Sequence, residues 1–488
     1  MSKQRLKKID EVFQHMALTI PRELNNQMMS GIAYDSRRIQ KNNLFIAVPG
    51  FKRDGHQYLP VAAERGALAA VVERKVNQVD LPQIQVNDSR QAMAEIAANF
   101  YRPEIDALQL VGITGTNGKT TTSYLIRSIL DTAHINSGLI GTVAYEYGGK
   151  KFPAPNTTPE APDICRMLFE MQQEDYTSCV LEVSSHALAL KRVEGLRFRV
   201  GLFTNLSRDH LDFHHTEEAY FQAKKHLFDL LTVEGQTVVN ADDSYGQRLI
   251  AESERACITY GLNSKALIYP IASSMDMAGM RLTISTPPGE LEIHSSLSGQ
   301  FNVYNILSAI GVALAMHIPL ESVRKGIERV KEVPGRLQSL QIKKDIFAVV
   351  DYAHTPDALE KALQALRPLA KKRLIVVFGA GGDRDKGKRP LMGQIAERLA
   401  DYAIVTSDNP RSEPPRAIIE DILAGMNKPE KRTVIEDRHQ AIAQAVALAE
   451  QGDLILIAGK GHETYQEVNG VRHPFDDRQI VLEAARSE

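Results

Sequence analysis

Cysteine is scarce in this chain. The three cysteines among 488 residues, Cys165, Cys179 and Cys257, form no CxxC pair. That argues against a disulfide scaffold or a zinc site and fits a reducing compartment. Long hydrophobic runs are missing as well. No stretch approaches the roughly 18 apolar residues that a membrane span needs. Residues 1–16 carry charge with no apolar run behind it, unlike a secretory signal. A charge imbalance is also absent: 60 acidic residues face 58 basic ones, so nothing draws the whole chain toward nucleic acid or an anionic membrane. There are no repeats and no low-complexity tracts. These exclusions leave a cytoplasmic, multidomain α/β protein, because 488 residues exceed what one core holds.

Three segments differ in character, and the domains expected are 1–106, 107–334 and 335–488. The first holds short apolar runs such as Leu44 to Val48, closed by the turn signal Pro49-Gly50, and reads as a small mixed α/β domain. In the second, Leu108, Leu110, Val111 and Ile113 form a buried strand, followed by a Gly-rich loop and a helix from about Thr120. Strands at Cys179 to Val183, Val200 to Thr204 and Thr237 to Asn240 then alternate with helical patterns, which suggests a parallel sheet. The third repeats the alternation, with strands at Phe347 to Val350, Leu374 to Phe378, Ala403 to Thr406 and Leu454 to Ala458, and a helix over Asp357 to Leu369. In such doubly wound sheets ligands sit beyond the carboxyl ends of the strands. The segments there begin at Asp351, Gly379, Ser407 and Gly459, and all are rich in glycine and charge.

The strongest single motif is Thr114-Gly115-Thr116-Asn117-Gly118-Lys119-Thr120-Thr121. Small residues let backbone N–H groups point into a phosphate-sized cup, Lys119 can reach the outer phosphates, and the Thr120 hydroxyl can ligate Mg²⁺. The following helix adds its dipole. The common phosphate loop places four residues between its first glycine and the Gly-Lys pair; here Gly112 leaves five and Gly115 leaves two, so the match is to a looser form. Glu182, at a strand end, and His210, in Asp209-His210-Leu211-Asp212, could complete a metal site. From spacing alone, a solvated glutamate and a hydrogen-bonded structural histidine explain them equally well. Asn302 and Asn305 read as a helix start, since asparagine caps helices well.

The motifs TGTNGKTT, EVSSH, TNLSRDHLDFH, GQFNVYN, PGR and DYAHTPDA follow one another in this order along essentially the whole chain. The set resembles the Mur ligases; GGDRDKGKRP, SDNPRSEPP and AGKGHE make it similar to the MurE type. The resemblance implies three domains: a UDP-substrate domain, a central phosphate-loop ATPase domain with a parallel sheet, and a Rossmann-like C-terminal domain for the incoming amino acid. It implies a ligase that activates UDP-N-acetylmuramoyl-L-alanyl-D-glutamate as an acyl phosphate with ATP and Mg²⁺. The amine of meso-diaminopimelate then attacks, in peptidoglycan synthesis, in the cytoplasm and as a monomer.

By position, the resemblance gives Lys119, Glu182, His210 and Lys224 catalytic roles. Thr120, Glu182 and His210 would be metal ligands, with Lys224 joining them if carbamylated; between Lys224 and Lys225 the sequence does not choose. Gly115 to Thr121 would hold the phosphates, and Asn302, Asn305, Arg336 and Asp351 would surround adenine and ribose. Ser36 would contact the uridine nucleotide. Asn156, Thr157, Thr158, Ser184 and Arg192 would hold the muramoyl dipeptide, while Leu190 stands where relatives often carry a polar residue. Arg384, Asp408, Asn409, Pro410, Arg411, Gly459 and Glu463 would form the diaminopimelate pocket. There Arg411 pairs with the far carboxylate in a two-pronged bond and Glu463 holds an ammonium. A lysine-adding ligase, a folylpolyglutamate synthase and an NTPase that makes no bond are the rivals. The second lacks so long a segment before the phosphate loop, and the third has no need of the Arg384–Arg411–Glu463 rim. A Rossmann dehydrogenase fails because Gly379-Ala380-Gly381-Gly382 does not continue to GxGxxG.

Overall fold

The computed structural model describes residues 5–14, 16, 18, 20–51 and 53–486. Spatial proximity divides the chain into two compact units. One comprises the residues up to Gly115 with His134–Leu202 and Glu218–Thr237. The other comprises Thr116–Ala133, Phe203–Glu217 and the chain from Val238 onward.

The first unit opens with a parallel four-stranded sheet, Gly31–Ala33, Asn43–Ile46, Ala69–Val72 and Gln83–Gln85, in chain order. Its two central strands, Asn43–Ile46 and Ala69–Val72, are buried on both faces, as usual in parallel sheets. Helix Ser89–Tyr101 covers one face with Ala92, Met93, Ile96 and Phe100. It starts where Asp88 accepts the N–H groups of Arg90 and Gln91, a normal N-cap. The second sheet of this unit is built on Ser178–Glu182, which pairs in parallel with Gln109–Thr114 on one side and Ser137–Ile140 on the other. A hairpin, Ala144–Tyr147 and Lys150–Pro153, adds antiparallel strands at one edge. The strands expected at 179–183 and 108–113 are thus central, while the hairpin was not legible: Lys150–Pro153 is exposed along its whole length and carries no apolar run.

In the second unit, helix Lys119–Thr132 packs against Gln300–Ala315 and Leu320–Arg329. An antiparallel three-stranded sheet, Tyr269–Asp276, Gly279–Thr286 and Gly289–Ser295, precedes them. It is a further departure from the expected βα alternation. Met280, Leu282 and Ile284 alternate on its middle strand, but the edge strand is largely exposed and leaves little periodicity to read.

The C-terminal sheet runs Gln338–Lys343, Ile346–Asp351, Leu454–Ala458, Leu374–Phe378, Tyr402–Val405, Arg432–Val434, parallel except for its first strand. Alternate residues face opposite layers. Leu374, Val376 and Phe378 pack with Leu359, Leu363 and Met392, while Ile375 and Val377 pack with Ile442, Val446 and Ile480. Both faces are covered, so this is a doubly wound α/β sheet. The helix expected over 357–369 is Pro356–Leu366 continued by a 3₁₀ turn, Arg367–Leu369. Among the described residues no helix is long and apolar enough to cross a membrane.

Candidate functional site

The loop after Gln109–Thr114 is shaped by glycine and by a neighbouring segment. Gly115 has φ 147° and Gly118 has φ 88°, the latter as the cap of helix Lys119–Thr132; both lie where L side chains are strained. A Cβ on Gly118 would come 2.5 Å from Asn305 Oδ1. Residues 204–207 brace the loop: the Thr116 N–H donates to the Asn205 carbonyl at 2.8 Å, the Asn117 N–H to Asn205 Oδ1 at 3.0 Å, and Thr204 Oγ1 to the Asn117 carbonyl at 2.6 Å. Lys119 Nζ folds onto the Thr116 carbonyl at 2.9 Å. Thr120 is buried, and its Oγ1 accepts from Arg336 Nη2 at 3.2 Å.

Asn302 and Asn305 do not cap their helix, contrary to the sequence reading. Gly299, at φ 94°, is the cap and the helix spans Gln300–Ala315. The two amides are buried and used sideways instead: Asn305 Nδ2 donates to Asn302 Oδ1 at 2.9 Å, and Asn302 Nδ2 to the Ser298 carbonyl at 2.7 Å. A cavity of about 230 Å³ lies beside Asn302, Arg336, Leu337 and Val349. Arg336 stacks on Tyr352, 4.9 Å from the ring centre. Asp351 takes the Leu337 N–H at 2.8 Å, and burial holds its carboxyl above the usual value.

The four segments at the strand ends of the C-terminal sheet meet. The Gly459 N–H donates to the Asp351 carbonyl at 3.1 Å and the Gly382 N–H to the Asn409 carbonyl at 2.9 Å. Arg411, at φ 52°, sends Nη1 to the Gly382 carbonyl at 2.6 Å. The exposed Arg384 runs past the same stretch, its Cγ 3.8 Å from where a Cβ on Gly381 would lie. The Pro410 carbonyl presses against Gly382, where a Cβ would come within 1.9 Å. Asn409 Nδ2 donates to Glu463 Oε2 at 2.8 Å. Asp408 is buried; burial pushes its carboxyl up, but Arg438 and Lys460 more than offset this and hold it below the usual value. Gly459 has φ 122°, and a Cβ there would stand 2.3 Å from Asp408 Oδ2. Partial burial also lowers His462 to about 4.

In the first unit, Asn156, Thr157, Thr158, Ser184, Arg192 and Glu182 form one cluster. Thr158 Oγ1 donates to the Glu182 carbonyl at 2.7 Å and takes the Ser184 N–H at 3.0 Å. Arg192 Nη1 donates to the Thr158 carbonyl at 2.9 Å, and Nη2 pairs with Glu160 at 2.7 Å. Tyr145 Oη donates to the Asn156 carbonyl, and Thr157 Oγ1 meets Thr142 Oγ1. Glu182 is fully buried, with Thr142 donating to both carboxylate oxygens, from N at 3.1 Å and from Oγ1 at 2.8 Å. Gly141 allows this approach, since a Cβ would stand 2.4 Å from Glu182 Oε1. The solvated-glutamate alternative is therefore wrong. Leu190 is half-buried. Ser36 opens a 3₁₀ turn capped by Asp35.

Lys224, on helix Glu217–Asp229, is 1% exposed with Nζ 4.4 Å from the centre of the Tyr220 ring, while Lys225 is only half-buried. Most helix lysines are solvated; Lys224 is not. His210 is exposed, at φ 54° beside Asp209. Among the described residues no group of three His, Cys, Asp or Glu side chains converges as a metal cage. A hydroxyl, a carboxylate and an imidazole still suit Mg²⁺, which takes one or two protein carboxylates and completes its shell with phosphate oxygens and water.

Sequence reading missed four residues here: Asn205, Asp357, Arg438 and Lys460. Asp357 Oδ2 accepts from Asn117, Ser207 and Lys361. Arg438 is buried, paired with Asp477 through two bonds of 2.9 and 2.8 Å. Lys460 was visible as a lysine between glycines at a strand end, a signal that only gained meaning once Glu463 lay against it.

Comparison with known protein families matches three stretches of the chain. Residues 29–101 match the model described as Mur ligase family, catalytic domain; 113–313 match the Mur ligase middle domain; 335–461 match the Mur ligase, glutamate ligase domain. The chain is 42% identical, over 94% of both sequences, to a protein of Geobacter metallireducens named UDP-N-acetylmuramoyl-L-alanyl-D-glutamate--2,6-diaminopimelate ligase. It is 45% identical, over 95% of both, to a protein of the same name from Gloeobacter violaceus. A solved structure bearing that name superposes with TM-score 0.72 at 34% identity, over 99% of each chain.

Proposed function

The chain belongs to the Mur ligase family, and from that premise we propose that it is an ATP-dependent ligase adding meso-2,6-diaminopimelate to UDP-N-acetylmuramoyl-L-alanyl-D-glutamate in peptidoglycan biosynthesis. The observation that carries the choice of amino acid is the C-terminal rim. There Arg411 Nη1 is bonded to the Gly382 carbonyl and the Glu463 carboxylate to Asn409 Nδ2, which supports placing the amino acid at this rim. A cation and an anion at fixed places suit an amino acid with a carboxylate and an ammonium at its far end.

The chemistry follows from the weakness of a carboxylate as an electrophile. An oxygen of the dipeptide carboxylate attacks the γ-phosphorus of ATP, ADP leaves, and an acyl phosphate results. The deprotonated amine of diaminopimelate attacks the acyl carbon, and inorganic phosphate departs with the former carboxylate oxygen. The protein's part is positioning and charge neutralisation. Gly115 to Thr121 hold the phosphates with Lys119 on the transferred group. Asn302, Asn305, Arg336 and Asp351 hold adenine and ribose. Ser36, Asn156, Thr157, Thr158, Ser184 and Arg192 hold the UDP substrate, and Arg384, Asp408 to Arg411, Gly459 and Glu463 hold the amino acid.

Thr120, Glu182 and His210 would hold Mg²⁺, with a carbamylated Lys224 as a further anionic ligand. When bound, the ion would spread the charge of the transferred phosphate. We assign the UDP moiety to residues 1–106, ATP to 107–334 and the amino acid to 335–488, in a monomer of the cytoplasm.

The test is phosphate release from ATP and Mg²⁺ in the presence of the UDP-dipeptide, comparing meso-diaminopimelate with L-lysine. Release with diaminopimelate alone, and a product heavier by one residue, supports the reading. Release with lysine alone overturns the amino-acid assignment, and release without dipeptide overturns the ligase.

A further inference from the structure

Strand Leu454–Ala458 ends in Gly459-Lys460-Gly461-His462-Glu463. Gly461 has φ 54°, and a Cβ there would stand 2.7 Å from the Tyr352 Cβ. The chain therefore turns sharply against its neighbour. The Glu463 N–H closes the turn on the Lys460 carbonyl at 3.0 Å, which folds both side chains to the same side.

The Lys460 side chain is 0% exposed. Its Nζ donates to Asn409 Oδ1 at 3.0 Å and to Glu463 Oε2 at 3.1 Å, and lies 5.5 Å from the centre of the Tyr465 ring. Asn409 closes the triangle, giving Nδ2 to the same Glu463 oxygen at 2.8 Å while its Oδ1 also accepts the Glu467 N–H at 2.9 Å. Two donors on Oδ1 settle which way the amide points. Glu463 Oε2 is thus taken by two donors, and Oε1 is the oxygen left for a ligand.

A buried ammonium is costly unless paired, and for stability alone an apolar side chain of similar length does as well or better. The charge is accounted for by its effect on Glu463. Without Lys460, either carboxylate oxygen could turn toward Asn409, and the other would have no fixed direction. With it, the carboxylate is oriented before substrate arrives, which removes an ordering cost from binding.

We infer that Lys460 is a positioning residue for the amino-acid substrate: its buried ammonium, bonded to Asn409 and Glu463 together, fixes the Glu463 carboxylate so that one oxygen is kept for the ammonium of the incoming amino acid. This rests on the proposed ligase activity and deepens it.

A double-mutant cycle tests it on the full chain by phosphate release with ATP, the UDP-dipeptide and meso-diaminopimelate. Lys460→Met is expected to raise the diaminopimelate KM about ten-fold, an order set by losing one charged hydrogen bond. The KM values for ATP and dipeptide should stay within about two-fold. In a Glu463→Gln background, where the carboxylate is already gone, the same substitution should add less than about two-fold. Should K460M not fold, Lys460→Gln, which keeps a donor but no charge, carries the same criteria. An unchanged diaminopimelate KM, an equal rise in both backgrounds, or a common rise in all three KM values would overturn the inference. Failure of the unsubstituted protein to release phosphate with diaminopimelate would instead overturn the activity on which it rests.

Discussion

Asp357 and Asn117 meet at 2.9 Å, the carboxylate Oδ2 of the first accepting the side-chain amide of the second. Asp357 lies in the first turn of helix Pro356–Leu366, and Asn117 in the glycine-rich loop proposed to hold phosphate. The same oxygen takes Ser207 Oγ at 2.8 Å and Lys361 Nζ at 2.9 Å. One anionic acceptor thus ties the loop to the segment that braces it and to the C-terminal sheet's first helix. Replacing Asp357 with Asn keeps the shape and removes the charge, so an amide must serve three donors with one neutral oxygen. Each hydrogen bond to a charged group contributes about 1.5–3 kcal/mol. The ATP KM should rise about ten-fold in D357N, while the diaminopimelate KM stays near its original value. Steady-state kinetics with each substrate varied in turn decide it.

Lys119 Nζ donates to the Thr116 carbonyl, a backbone oxygen of its own loop. On the proposed function, removing it takes away the charge assigned to the transferred phosphate and leaves the brace from Asn205 and Thr204 intact. Lys119→Ala should therefore lower kcat by roughly 100-fold or more, the scale for losing one donor to developing charge. The circular dichroism spectrum should be unchanged. Normal turnover in a normally folded variant would remove the phosphate-loop assignment.

Arg411 shows both a constrained backbone, φ 52°, and a guanidinium whose Nη1 is anchored on the Gly382 carbonyl at 2.6 Å. An anchored fork presents its remaining N–H groups in a fixed direction. In Arg411→Ala the diaminopimelate KM should rise about 10- to 100-fold, equivalent to one charged hydrogen-bonded pair, with ATP binding little altered. Arg411→Lys should not restore it, because a single ammonium cannot match both oxygens of a carboxylate. R411K with the original KM would show that only charge matters there.

The features legible in the sequence were those written in short-range pattern. Leu374–Phe378 and Leu454–Ala458 are apolar end to end and were read to the residue. The glycines around Lys119 were read as a phosphate loop because small residues let backbone N–H groups point inward, and Gly115 and Gly118 do stand at positive φ. What stayed hidden depends on distant partners. Glu182 looked like any strand-end glutamate until Thr142 and Gly141 closed around it. Between Lys224 and Lys225 the sequence did not choose, and only the fold distinguishes them, burying Lys224 beside Tyr220. Asn302 and Asn305 have the composition of a cap, yet their amides serve tertiary contacts and Gly299 does the capping. The hairpin strand Lys150–Pro153 and the edge strand Tyr269–Asp276 are exposed, so no burial pattern was impressed on their sequences.

His226 gives the protein a pH dependence in the alkaline range. It sits near the end of helix Glu217–Asp229, its Nε2 2.8 Å from Glu194 and its Nδ1 3.0 Å from Asp229. The hydrogen bond with Glu194 is the main cause that raises its pKa to about 9, against a desolvation that opposes it; Glu194 itself is held below its usual value, chiefly by His226. A group whose folded pKa is raised adds stability that is complete below its unfolded value, near 6.5. That stability is lost as pH climbs through the folded value. His226→Gln should therefore melt at a lower temperature than the unsubstituted protein at pH 6.5, and the gap should narrow steadily to near zero above pH 9. Other titrating groups are common to both proteins and cancel in the difference. Thermal midpoints of the pair at pH 6.5, 8 and 9.5 are the measurement. A gap that stays constant across this range would mean that the ring contributes through packing and not through its charge.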